Sequence, residues 1–124
     1  MKKLKLLLAV VAFFFMCGMA MAASNVTLIW DANSETDLAG YRLYQSQIPG
    51  VYTFGDGNQV ATILAGTETV QIADMADGTY FWVLTAYDND GNESGASNEV
   101  TANLDTLAPG APATVTITII IKVQ

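Results

Sequence analysis

From Val26 to Ala102 the chain alternates runs in which every second residue is apolar with breaks rich in turn formers, and a period of two predicts strands rather than helices. Val26, Leu28 and Trp30 alternate with Thr27 and Ile29, so the first strand buries the former set. Asp31 to Leu38 is polar and acidic and reads as a loop. Gly40 starts a second strand, in which Tyr41 and Leu43 alternate with Arg42 and Tyr44. Breaks at Pro49-Gly50 and Gly55-Asp56-Gly57-Asn58 bracket a short strand around Val51 to Phe54, and Gln59 to Leu64 forms the next. Val70 and Ile72 mark another. Asp77-Gly78 turns into the strongest segment, Thr79 to Tyr87, where Tyr80, Trp82, Leu84 and Ala86 share one face and Phe81, Val83 and Thr85 the other. Both faces are largely apolar, as in a strand central to its sheet. Asp88 to Gly95 is a hairpin connection, and Val100 with Ala102 marks the return strand. About seven short strands at this spacing, with no helical period beyond the N-terminal segment, predict an all-β two-sheet sandwich.

Pro109-Gly110-Ala111-Pro112 is a stiff linker, and a further strand follows it. Val115, Ile117, Ile119 and Ile121 alternate there with Thr114, Thr116, Thr118 and Ile120. Left free, so β-branched a tail would template aggregation, so it must pair with something. The chain thus divides into 1–22, 23–105, a linker at 106–113 and a C-terminal strand at 114–124.

The first 22 residues carry Lys2, Lys3 and Lys5, an apolar run from Leu6 to Met16, and small residues at Ala20, Ala22 and Ala23. These are the three parts of a secretory signal peptide, cut after Ala22, and they predict a secreted protein, extracellular or periplasmic. A membrane enters only through an uncleaved signal or a lipidated Cys17, and bulky Phe15 and Met16 stand where a lipidation signal wants small residues. Cleavage leaves Arg42 and Lys122 against all 12 carboxylates, a net charge of −10. Nucleic acid and anionic membrane surfaces are bound by basic patches and are excluded as partners. The one cysteine leaves with the signal, so no disulfide staples the domain. With no histidine in the chain, imidazole bases and imidazole or thiolate metal sites are absent too.

The segments Val26-x-Leu28-x-Trp30-Asp31, Asp37 to Tyr44, Gly78 to Asp88, Gly91 to Ser94 and Ser97 to Val100 together resemble a fibronectin type III domain of the bacterial extracellular kind. The resemblance implies an immunoglobulin-like sandwich with Trp30 as the core tryptophan of its strand B. It also implies that the hydroxyl of Tyr80, on strand F, ties back to the preceding turn. Trp30, Tyr41, Leu43, Tyr80, Trp82 and Leu84 are the expected structural core. One departure stands out. The family opens with a strand A about ten residues before that tryptophan, and only seven residues lie between the cut site and Trp30, so that strand is expected to be short or absent. The tail through Val115, Ile117, Ile119 and Ile121 either folds back onto its own sheet or adds as a strand to a neighbouring molecule. Its partner is therefore a protein, or a second copy by self-association.

The family's BC and FG loops emerge at one pole. Asp31, Glu35 and Asp37 from the first would meet Asp88 and Asp90 from the second, and Ca²⁺ is the cofactor such a pole would take; otherwise none is expected. Glu93 replaces the glycine an EF-hand loop requires after Asp88-x-Asp90-x-Asn92, so the bland reading is a solvated turn. Tyr44, Tyr52, Phe54 and Phe81 offer either sheet packing or a platform for polysaccharide. Asn25 and Asn92 head glycosylation sequons. Paired carboxylates without a deep apolar cleft do not make a glycosidase. The expected function is a non-catalytic module for interaction, adhesion or spacing, with a carbohydrate-binding accessory module as the alternative.

Overall fold

The computed structural model describes residues 23–106 and 114–121. The 1–22 segment with Cys17, most of the Pro/Gly linker, and Lys122 lie outside them. Seven strands form: β1 (Ala23–Trp30), β2 (Leu38–Ser46), β3 (Ala61–Leu64), β4 (Thr69–Met75), β5 (Gly78–Asp88), β6 (Val100–Leu104) and β7 (Thr114–Ile121). They make two sheets, ordered β4-β1-β7 and β3-β2-β5-β6, with no helix among the described residues. Apart from β7, every pairing is antiparallel. The chain is an all-β, immunoglobulin-like sandwich.

The period of two fixes which side chains enter the core. Val26, Leu28 and Trp30 of β1 and Tyr80, Trp82, Leu84 and Ala86 of β5 are buried, together with Tyr41 and Leu43 of β2. The Trp30 ring meets the Tyr41 ring edge-on at 5.2 Å, linking the two sheets through a contact aromatic quadrupoles favour. Tyr80 stacks on Trp82 at 5.9 Å, and the Trp82 indole N–H donates to Gln45 Oε1 at 2.9 Å. The Tyr80 hydroxyl donates to the Ala76 carbonyl at 2.9 Å, closing the turn that feeds β5. Each fully buried side chain of this size contributes about 1.5–3 kcal/mol relative to exposure.

Two connections differ from the reading of the sequence. Val51 to Phe54 is not a strand. Left-handed backbone at Gly50, Gly55 and Gly57 bends the segment away from any ladder, and side chains then hold it over the outer face of the four-stranded sheet. Phe54 packs edge-on against Tyr44 at 5.0 Å, while Glu99 accepts from the Gly50 N–H at 2.8 Å and from the Tyr52 hydroxyl at 2.6 Å. The β5–β6 connection is also longer than Asp88 to Gly95, running to Glu99. There Ser94 and Ser97 replace a strand. Each donates its backbone N–H to a β5 carbonyl, Ala86 and Leu84 respectively, and accepts the N–H of the same residue on its hydroxyl oxygen.

Candidate functional site

Three places in this fold gather chemistry: the β1 edge, the outer face of the four-stranded sheet, and the pole where two acidic loops meet. At the first, β7 runs parallel to β1 through an eight-residue register from Ala23↔Thr114 to Trp30↔Ile121. Ile121 is fully buried, Ile117 and Ile119 are packed against the core, and Thr116, Thr118 and Ile120 face outward. The tail therefore occupies the β1 edge within one chain, with three of the four residues expected to mediate strand addition turned inward; the Val115 side chain lies outside the described residues.

The linker has slack for this. Thr106 is held at the turn before β5, its N–H and hydroxyl both donating to Asp77 Oδ1 at 3.1 and 2.8 Å. Thr114 pairs with Ala23, whose neighbour Ser24 pairs with Met75, two residues from Asp77. Both ends of the linker thus lie at one pole, and seven intervening residues reach about 25 Å when extended.

On the outer face the connection after β5 brings Glu93 down onto the sheet. Its carboxylate accepts from Arg42 Nη1 at 2.8 Å, from the Thr85 hydroxyl at 2.6 Å, and from the Tyr44 hydroxyl. Arg42 and Thr85 are buried, and the guanidinium also lies over the Tyr87 ring at 4.5 Å. Burial alone would raise the Glu93 carboxyl, but the bonds from Thr85, Tyr44 and Arg42 outweigh it and hold the group below its usual range. Burial together with the bond to Glu93 pushes the Tyr44 hydroxyl up. The same two causes, with Glu99 as partner, push Tyr52 up. These groups close a loop over a sheet.

At the pole, the Asn89 N–H donates to the Asp37 carbonyl at 3.0 Å, so the two acidic loops do meet. A cavity of about 260 Å³ lies between them, lined by Glu35, Asp37, Tyr87, Asp88 and Glu93 among others. Asp31 and Asp90 lie outside that lining, both exposed. Asp88 is committed to its own turn, accepting from the Asp90 and Asn92 N–H groups and the Asn92 amide, which hold its carboxyl below the usual range. Among the described residues no group of three or more acidic side chains is placed to hold a metal.

Of the four rings expected either to pack or to stack on sugar, Tyr44, Tyr52 and Phe54 form one cluster, with Phe54 5.0 Å from Tyr44 and 6.0 Å from Tyr52. Tyr44 is buried, Tyr52 is bonded to Glu99, Phe81 is half-buried, and Phe54 is 47% exposed. Of the sequons, Asn25 Oδ1 is engaged by the Asp74 N–H and Asn92 by Asp88. The Arg42–Glu93 clasp is what sequence reasoning missed. The signal for it was Arg42 itself, a lone cation at an outward position of an apolar strand, which calls for a buried acid.

No family profile matches the chain. It is 36% identical over 98 residues to chitinase A1 of Niallia circulans, an alignment taking in 73% of this chain and 12% of that enzyme. Among solved structures, BcpA, the major pilin subunit of Bacillus cereus, is similar with a TM-score of 0.42 and 13% identity, over 81% of this chain and 30% of that one. The chain spans a small part of either protein, and what it is similar to in sequence is 12% of that enzyme's length.

Proposed function

We propose that the chain is an exported, non-catalytic module of the fibronectin type III kind, serving interaction or spacing outside the cytoplasm, with its own C-terminal strand taking the place of an opening strand. The observation that carries this is β7 seated on β1 with Ile121 buried in the core. Family membership is supported by the strand order β3-β2-β5-β6 against β4-β1, by the Tyr80-to-Ala76 bond, and by the similarity to part of a chitinase. That similarity brings in chitin as a class of ligand, for which the neighbouring Tyr52 and Phe54 rings, 6.0 Å apart, are the surface to test, while the interaction reading rests on β7.

The test is removal of residues 111–124 from the protein lacking its signal. Loss of one fully buried and two partly buried isoleucines costs on the order of 4 kcal/mol, a large part of what a domain of this size has to spare. The shortened protein should melt well below the full one and self-associate through the uncovered β1 edge. Equal melting midpoints and equal light scattering would refute the proposal.

A further inference from the structure

Seating β7 on β1 moves the open edge outward by one strand. Among the described residues β7 has β1 as its one strand neighbour, so the backbone groups on its far side have no ladder partner. The three other sheet edges are blunted in the ways proteins blunt edges. β3 has 4 residues. β6 has 5 and is flanked by Glu99 and Asp105. β4 follows Glu68 and carries Asp74 in left-handed backbone, opposite an irregularity in its pairing with β1. β7 has 8 residues, none charged within it although Lys122 follows, and its outward face is Thr116, Thr118 and Ile120, the last 67% exposed.

We infer that the free edge of β7 pairs antiparallel with the β7 edge of a second copy, joining two three-stranded sheets into one of six strands. This rests on the seating of β7 proposed above. The sequence of the strand matches itself about a two-fold axis through Thr118. Thr118 then faces Thr118 and Thr116 faces Ile120 on the outer side, while Ile117 faces Ile119 on the inner side, so like faces meet and both hydrophobic layers continue across the junction. Charge favours a second copy over contact elsewhere on the molecule. The chain is acidic, formally −7, with all 12 carboxylates after residue 22, and this uncharged edge is where two copies meet without setting carboxylate against carboxylate. Each copy has one such edge, so pairing closes at a dimer and does not run on into fibres.

The experiment is light scattering after size exclusion on the protein lacking its signal, from micromolar to millimolar concentration, alongside Thr118→Lys and Thr118→Lys/Ile120→Lys. Both side chains face solvent, so these variants should keep the wild-type melting midpoint when dilute. The wild type should shift with concentration to twice the monomer mass. In the variants the dimer dissociation constant should rise at least tenfold, because paired lysines would sit side by side across the axis. A wild type that stays monomeric throughout, or variants that dimerise as well as it does, would overturn the inference. If removal of 111–124 still destabilises the fold in that case, the seating of β7 stands and the pairing alone fails.

Discussion

A β-carbon on Gly40 would collide with the Ile63 carbonyl oxygen, an atom of the neighbouring strand's backbone that moves aside only if β3 moves with it. Gly40→Ala should therefore lose about 1–3 kcal/mol and lower the melting midpoint on the order of 10 °C, as overpacking does in a small domain. A midpoint within a degree of wild type in a thermal melt would mean that β3 yields freely. The sequence marks this glycine as the start of a strand but not its reason, since the oxygen it must clear is 23 positions away in the chain. Trp30, Tyr41, Tyr80 and Trp82 were legible because burial in a strand follows a local period of two. Glu93 was not. It sits among turn formers, and Arg42, the partner that takes it out of solvent, lies 51 positions earlier, so no local spacing connects them.

The connection between β5 and β6 shows how an irregular element can be held as firmly as a strand. Ser94 and Ser97 carry its backbone along β5, and Glu93 anchors it from the other side against Arg42, Tyr44 and Thr85. Arg42 and Glu93 have side chains only 10% and 17% exposed, and the other carboxylate near the guanidinium, exposed Asp56, is 3.7 Å away, so removing Glu93 leaves the buried cation weakly paired. Glu93→Gln should cost about 2–4 kcal/mol near neutral pH. The same clasp gives the fold an acid limit. The folded-state value of the Glu93 carboxyl lies below its ordinary 4.5, so the unfolded chain binds the proton first. The stability Glu93 contributes is complete above about pH 5 and is lost as pH falls through the folded-state value. Urea titrations between about pH 3 and 6 should show the wild type losing stability faster than Glu93→Gln over this window. Parallel curves would show that the carboxylate does not carry the effect. The strands of the two sheets could be placed from pattern; this connection could not, because its hydrogen bonds come from serine side chains and have no period.

Over the whole molecule, charge is the force the fold works against. Twelve carboxylates share a small sandwich whose described residues include Arg42 as their single cation, and Glu35, Asp37 and Asp88 converge at one pole. Repulsion among exposed charges is screened over about 8–10 Å at physiological ionic strength, so added salt should raise the melting midpoint without any site being filled. The juxtaposition of the two acidic loops was readable from the sequence, because the sandwich places them at one end. Whether they form a cation site depends on which oxygens remain unclaimed. Asp88 spends its carboxylate on Asp90 and Asn92, and Glu93 spends its own on Arg42, Thr85 and Tyr44, so among the described residues Glu35 and Asp37 are the two other carboxylates at the cavity. Calcium chloride and sodium chloride at matched ionic strength should therefore raise the midpoint by the same amount, and chelator should change nothing beyond its own ionic contribution. A calcium-specific rise of several degrees at micromolar free ion would show that the Asp88 turn opens to bind it, and would place a cofactor at the pole after all.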